Sequence, residues 1–153
     1  MADPTTPAAH PVTWADPARA AAFAGWIAPL VPPQGLRLPT LRPASADASF
    51  RRYLRVDADA GSLIVMDAPP PLEDVRPFLH VAGLIGRAGL HGPRVLAADA
   101  ALGFVLLTDL GHQPYLQALQ AAAAAGADRL MRDAIAALLR WQQGLDASAL
   151  PPC

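Results

Sequence analysis

Apolar positions along the chain change their spacing at about residue 36. Before that point, Asp16-Pro17 is a typical helix start, with Asp as the N-cap and Pro at the first helical position. The apolar residues that follow recur at helical spacing: Phe23, Trp26, Ile27 and Leu30. Since proline cannot continue a helix, Pro32-Pro33 should end this first helix.

From Leu36 onward the apolar positions alternate with a period close to two, which predicts strands. Three strands are expected in a row: Leu36 to Leu41, Arg51 to Val56 and Ser62 to Ala68. Pro39 and Pro43 interrupt the first of them, and proline cannot donate to a strand ladder. The first strand is therefore predicted at an edge of the sheet.

The second half of the chain predicts one more helix, two short strands and then helices only. An amphipathic helix is expected to begin near Leu72-Glu73-Asp74 and to pack on the sheet. Strands are predicted over Val95 to Ala100 and Phe104 to Leu107, followed by helices over 114–125 and 127–144.

This order indicates an α+β fold that is arranged like the small lobe of a protein kinase. Such a lobe has a five-stranded antiparallel sheet with one packed helix; here a helix would precede it, and a hinge and further helices would follow. We expect a flexible tail over residues 1–13 and a lobe with its leading helix over 14–110. Residues 111–153 would then be the start of a truncated second lobe.

Composition narrows the class of protein. With 53% hydrophobic and 16% charged residues among 153, the chain should fold into a globular domain. The net charge is −1 and the arginines are spread out, so no nucleic-acid surface is predicted. The single cysteine, Cys153, excludes an internal disulfide framework and suits a reducing cytoplasm. Because prolines break the apolar stretch 20–36, no membrane span is expected.

Two residue types are missing, and their absence excludes some chemistry. The chain has no Lys and no Asn. A lysine nucleophile, a P-loop lysine and a catalytic loop that holds a metal through Asn are therefore excluded within these 153 residues.

Four segments resemble the aminoglycoside phosphotransferase superfamily. They are Ser45 to Tyr53 (SADASFRRY), Met66 to Pro70 (MDAPP), Arg76 to Phe78 (RPF) and Leu106 to Gly111 (LLTDLG). Within the superfamily they are most similar to the bacterial anomeric kinases of cell-wall amino sugars, which act on N-acetylmuramate and N-acetylglucosamine. The resemblance implies two lobes, with ATP bound in the cleft between them.

The resemblance also indicates that the catalytic loop of the family is absent from these 153 residues. In that family the second lobe carries a catalytic His-x-Asp-x-x-x-x-Asn loop, but no histidine of this chain has Asp two positions later. We therefore interpret the chain as the first lobe of a kinase, inactive alone. ATP and Mg²⁺ are expected as cofactors, and an amino sugar as substrate, only in the complete enzyme. The uncovered lobe interface favours self-association.

The resemblance places the loop 45–49 over the ATP phosphates, so Ser49 and Phe50 become candidate nucleotide contacts. Arg51 and Arg52 follow on adjacent strand positions, hence only one of the two can face the cleft. A polar hairpin turn at the loop and ordinary solvated arginines on the strand are the alternatives, and both stay open.

Asp67 falls near the point where a kinase lobe ordinarily has a basic residue for the phosphates. An acid there needs a cation, and Arg76 at the start of the next helix is the candidate, which would make an ion pair of inverted sign. Alternatively, Asp67 is a turn residue ahead of the prolines.

The hinge is expected at Leu107, Thr108 and Asp109, where backbone groups would recognise adenine. A strand end followed by a turn at Gly111 is the alternative. A rival from another class of function is a non-catalytic interaction module with the shape of a kinase lobe; nucleotide titration distinguishes the two.

Overall fold

One sheet of five antiparallel strands organises the protein. In the computed structural model, residues 12–46, 50–145, 148 and 150 are described. The strands are β1 (Arg37–Ala46), β2 (Arg52–Ala58), β3 (Gly61–Asp67), β4 (Val95–Asp99) and β5 (Phe104–Thr108). Their order in the sheet is β1-β2-β3-β5-β4, so β1 and β4 are the edges. The α+β class, the antiparallel pairing and the edge position of the proline-containing strand are confirmed.

Helices lie before the sheet, between β3 and β4, and after the sheet. They are α1 (Pro17–Ile27), α2 (Val31–Gln34), α3 (Arg76–Arg87), α4 (Tyr115–Ala121) and α5 (Ala124–Gly144), with a 3-10 turn at Ala28–Leu30. The predicted start of α1 is confirmed, because Asp16 Oδ1 accepts a hydrogen bond of 2.8 Å from the backbone N–H of Ala18. In the described residues, no helix combines the length and apolar character needed to span a bilayer.

Helix α3 begins later than predicted, at Arg76 rather than near Leu72. The backbone N–H groups of Leu72 and Glu73 both donate to the carbonyl of Pro69, at 3.1 and 3.2 Å, which holds these residues in a turn. The Asp74 carboxylate then accepts from the backbone N–H of Arg76 at 3.0 Å. Both acidic residues therefore precede the helix instead of occupying its first turn, and Asp74 satisfies one of its unpaired donors.

The described residues fall into two compact units. The first comprises the chain up to Arg76 together with Val95–Asp109, which includes the whole sheet and α1. The second comprises Pro77–Arg94 and the chain from Leu110 onward, which includes α4 and α5.

The core of the first unit lies between α1 and one face of the sheet. Phe23 and Ile27, four residues apart on α1, are both buried. They belong to one cluster with the even-numbered apolar residues of β2 and with Val65, Phe104 and Leu106. The rings of Phe23 and Phe104 meet edge to face with centroids 5.6 Å apart. We call this the helix-covered face of the sheet.

Strand alternation assigns every other residue to the opposite face. On β2, Leu54 and Val56 are buried in the cluster, so Arg55 between them points away from α1. The register pairs Leu54 with Val65 and Arg55 with Ile64, which carries the same division across to β3. The position of each arginine in β2 therefore decides on which face of the sheet its side chain lies.

Gly103, in the turn between β4 and β5, lies very close to the backbone that follows β3. Its φ is +72°, and its carbonyl accepts a hydrogen bond of 2.9 Å from the N–H of Ala68. An added Cβ would lie 1.9 Å from the carbonyl oxygen of Ala68. Only glycine satisfies both the positive φ and this close approach.

We expect Gly103→Ala to lower the free energy of unfolding by at least about 1–3 kcal/mol, since it combines backbone strain with a steric clash. Gly25→Ala is the matched control, because Gly25 lies inside α1 and a methyl group added to it would have no atom within 4 Å. That control should be neutral or stabilise by about 0.5–1 kcal/mol. Chemical denaturation measures both; equal stabilities for the two variants would contradict the close approach.

Candidate functional site

A fully buried carboxylate lies at the end of β3. Asp67 is only 1% exposed and is the one charged residue among the buried described residues. The sheet register places Arg52 of β2 directly opposite it on one side and Phe104 of β5 on the other. Because Asp67 alternates with Met66 and aligns with Phe104, its side chain is on the helix-covered face.

Two arginines from different elements neutralise this carboxylate. Arg19 of α1 donates from Nε and Nη2 to Oδ1, at 2.9 and 2.6 Å. Arg52 donates from Nε and Nη2 to Oδ2, at 3.0 and 2.5 Å. Both oxygens of Asp67 are therefore occupied by charge-assisted hydrogen bonds. We refer to Asp67, Arg19 and Arg52 as the carboxylate clamp.

The third guanidinium nitrogen of each arginine in the clamp also donates a hydrogen bond. Arg19 Nη1 donates to the carbonyl of Leu102 at 2.5 Å, and Arg52 Nη1 donates to the carbonyl of Thr13 at 3.0 Å. Each guanidinium also lies over an aromatic ring: Arg19 is 3.7 Å from the centroid of Phe104, and Arg52 is 4.4 Å from that of Trp14. The clamp thus ties the segment before α1, α1 itself and three strands together.

The clamp is an ion pair network whose charged groups are paired within the protein. A carboxylate removed from water costs several kcal/mol, and here two cations and four hydrogen bonds offset that cost. Among the described residues no buried side-chain nitrogen or oxygen lacks a partner. Asp67 is fully buried, and Arg52 donates from all three of its guanidinium nitrogens.

The predicted Asp67–Arg76 pair is wrong. The Arg76 guanidinium pairs instead with Asp74, two residues before it, at 3.3 Å on the exposed surface. The cations of Asp67 are Arg19 and Arg52. Sequence proximity favoured Arg76, whereas the packing of α1 on the sheet brings Arg19 to Asp67 across 48 residues.

A second ion pair lies next to the start of β2. Arg51 Nε donates to Glu73 Oε2 at 2.8 Å, and the side chains are 26% and 13% exposed. Burial lowers the pKa of Arg51, but the hydrogen bond and charge of Glu73, with a contribution from Tyr53, raise it above its ordinary value. The Arg51 guanidinium is therefore permanently charged. Arg51, just before β2, and Arg52, its first residue, have different partners.

A third cluster lies where β5 ends. Asp109 accepts from Arg55 Nε and Nη2, at 2.5 and 3.1 Å, and from Ser62 Oγ at 2.6 Å. The side chains of Asp109 and Arg55 are 5% and 15% exposed. The hydrogen bonds with Asp109 raise the pKa of Arg55 above its ordinary value, against the opposite effect of burial. We refer to Asp109, Arg55 and Ser62 as the β5-end cluster.

The other predicted nucleotide contacts lie at two places in the first unit. Phe50, just before β2, is exposed. Leu107 is buried and Thr108 is the last residue of β5. Ser49 and most of the predicted phosphate loop lie outside the described residues. Their contact with a nucleotide remains a prediction.

Four residues of these clusters were missed by sequence reasoning: Arg19, Arg55, Ser62 and Glu73. For Arg19 a signal existed, because Arg19, Phe23 and Ile27 are spaced by four and share one face of α1. An arginine on a buried helix face needs a buried acid. For Glu73, Arg55 and Ser62 no local pattern identifies the partner, since these contacts join residues 22 to 54 positions apart.

The described residues hold no set of three or more His, Cys, Asp or Glu side chains suited to a metal ion. The acids of the clamp, of the Arg51 pair and of the β5-end cluster each accept from at least one arginine. They therefore do not fit a Mg²⁺ site, and no chemical step is assigned to a metal at these residues.

A five-stranded antiparallel sheet of this order, followed by a chain segment and helices, is the small lobe of a kinase-like fold. Comparison with known families then identifies the family. Residues 40–153 match the phosphotransferase enzyme family, and the chain belongs to this family. The resemblance to aminoglycoside phosphotransferases is thereby confirmed.

Relatives named N-acetylmuramate/N-acetylglucosamine kinase match most of the chain. Identity is 53% over 111 residues with the protein of Pseudomonas aeruginosa, covering 72% of this chain and 32% of the relative. It is 47% over 104 residues with that of Pseudomonas putida, covering 68% and 30%. It is 41% over 110 residues with that of Neisseria meningitidis serogroup B, covering 71% and 32%. The chain thus spans about a third of the length of these relatives.

We expect Asp67→Asn to lower the free energy of unfolding by about 2–4 kcal/mol, because two partly buried guanidinium groups lose their counter-charge. Asp59→Asn is the control: Asp59 pairs with Arg37 at 3.4 Å, but its side chain is 80% exposed. Its loss should cost less than about 1 kcal/mol. Urea unfolding of both variants measures the difference, and a similar small loss in both would show that the clamp does not stabilise the fold.

Proposed function

We propose that this chain is the ATP-binding N-terminal part of an anomeric kinase of cell-wall amino sugars. The observation that carries the proposal is the family match over residues 40–153, together with relatives that are named for N-acetylmuramate and N-acetylglucosamine. The reaction proposed for the complete enzyme transfers the γ-phosphoryl group of ATP to the anomeric hydroxyl of the sugar. The sugar oxygen forms the new bond to phosphorus, ADP leaves, and the hydroxyl proton goes to a catalytic base.

The proposed nucleotide contacts are those that remain once the carboxylate clamp is set aside. Arg52 and Asp67 lie on the helix-covered face and are held by each other and by Arg19, so their role is structural. Phe50 and Arg51, at the entry to β2, are proposed to meet the phosphates. The backbone of residues 107–109, at the end of β5, is proposed to meet adenine.

Arg51 suits the phosphate role because its charge is permanent and its position is held. Glu73 fixes the guanidinium through Nε at 2.8 Å, and a quarter of the Arg51 side chain stays exposed. In a chain without lysine, an arginine is the residue that can supply such a cation.

The base and the metal are proposed to come from the part of the relatives that this chain does not match. None of the 153 residues is Asn, and no His-x-Asp motif occurs in them. A catalytic loop with a base and a metal ligand therefore needs residues other than these 153.

Exposed apolar side chains of α4 and α5 support the expectation that these residues associate, with one another or with a further lobe. Leu116 of α4 is 63% exposed, and four residues of α5 are about half exposed: Met131, Ile135, Leu138 and Leu139. Such a patch on a helix pair is typical of an interface.

We expect no sugar phosphate from the purified 153-residue chain with Mg²⁺, ATP and either amino sugar, because the base and the metal ligand are lacking. The measurement is phosphate transfer followed by chromatography of the sugar phosphates. An active chain of the full length of the relatives is the positive control. Metal-dependent product from a preparation free of contaminating kinases would contradict the proposal.

We expect Arg51→Ala to weaken ATP binding by about 10- to 100-fold, which corresponds to the loss of one or two charge-assisted hydrogen bonds. Isothermal titration of the chain with ATP measures the dissociation constant. Arg51→Lys keeps the charge and should retain part of the affinity.

Arg37→Ala is the matched control for this titration. Arg37 lies on β1 with a side chain that is 60% exposed, and its loss should leave the affinity unchanged. If the unmodified chain binds no ATP and forms a stable oligomer, the interaction-module alternative is favoured. If it binds ATP and Arg51→Ala binds equally well, Arg51 does not contact the phosphates.

A further inference from the structure

The β5-end cluster ties the first residue after β5 to two other strands of the sheet. Asp109 directly follows Thr108, the last residue of β5, and is also the last residue of the first unit. Its carboxylate reaches Arg55 on β2 and Ser62 on β3, which are 54 and 47 residues away in the sequence. The chain is therefore anchored to the sheet at the point where it leaves it.

This anchor is unusual for an ordinary strand end. Aspartate side chains are mostly exposed to water, whereas the Asp109 side chain is 5% exposed and accepts hydrogen bonds from Arg55 and Ser62. Burying a carboxylate and a guanidinium costs several kcal/mol, which apolar residues at these positions would avoid. An arginine that donates two hydrogen bonds to a carboxylate fixes the relative orientation of the two groups. An apolar contact does not fix this orientation.

We propose that Arg55 and Ser62 are positioning residues for nucleotide binding: they hold Asp109 and thereby fix the backbone of residues 107–109 in the orientation that receives the adenine base. This inference rests on the proposed function of the chain. It assigns a role to two residues of β2 and β3 that have no direct contact with the nucleotide. Asp109 itself acts through its carboxylate on its own backbone, not on the ligand.

The proposal predicts different effects of these variants on the binding of the base and on the binding of the phosphates. If the cluster orders the adenine site, Asp109→Asn, Asp109→Ala and Arg55→Ala should each weaken ATP and adenosine binding by about tenfold, as expected when the competent backbone is populated about a tenth of the time. Inorganic tripolyphosphate, which has no base, should bind these variants as well as it binds the unmodified chain. Arg51→Ala should show the reverse, with weaker tripolyphosphate binding and unchanged adenosine binding.

Titration of the 153-residue chain with the three ligands measures these effects, and thermal unfolding reports whether each variant is folded. Arg37→Ala is the matched control, because Arg37 forms an exposed ion pair with Asp59 at 3.4 Å rather than with Asp109. Ser62→Ala and Arg55→Lys should have intermediate affinities. A variant that loses affinity for ATP and tripolyphosphate alike, or for neither, overturns the positioning role.

Hydrogen exchange gives a readout that does not depend on ATP. The backbone amides of Thr108 and Asp109 should exchange at least about tenfold faster in Asp109→Asn than in the unmodified chain, while amides in the middle of β3 stay unchanged. If the chain binds no ATP but exchange accelerates, the proposed function fails and the anchor stands as a structural element only, which also overturns the positioning role. If ATP binds and exchange is unchanged in the variant, the proposed function survives and the inference fails.

Discussion

The burial of one carboxylate between two guanidinium groups is the interaction on which the first unit depends. Asp67 has both oxygens occupied, by Arg19 of α1 and by Arg52 of β2. A negative charge inside a small domain is tolerated only when cations and hydrogen bonds replace water. The requirement therefore holds α1 in a defined place on the sheet, and the aromatic contacts of Arg19 and Arg52 extend that constraint to Phe104 and Trp14.

Two further groups of paired charges in the first unit lie outside the carboxylate clamp. The pair of Arg51 with Glu73 lies at the entry to β2, and the β5-end cluster lies at the exit of β5. In the proposed kinase, the Arg51–Glu73 pair is proposed to lie beside the phosphates of the nucleotide and the β5-end cluster beside its base. The carboxylate clamp and the β5-end cluster share a single sheet, because adjacent residues of a strand lie on opposite faces.

For Asp67, the sequence predicted the need for a cation but not which residue supplies it. Its need for a cation was predicted from its place at the end of an apolar strand, and this need is confirmed. The choice of Arg76 as the cation was wrong, because nearness along the chain favoured it over Arg19, which is 48 residues from Asp67. The helical spacing of Arg19 with Phe23 and Ile27 places Arg19 on the buried face, but spacing does not say what that face covers.

The sequence by itself determined the class of fold, the order of the elements, the edge position of β1 and the membership of the phosphotransferase family. These follow from periodicity, from proline chemistry and from short motifs, all of which act over a few residues. The tertiary structure alone decided the partners of Asp67, Arg51 and Asp109. Such pairs form between residues 15 to 54 positions apart, and their geometry depends on strand register and on where α1 packs. No local pattern encodes those two quantities, because they arise from the burial of the whole core at once.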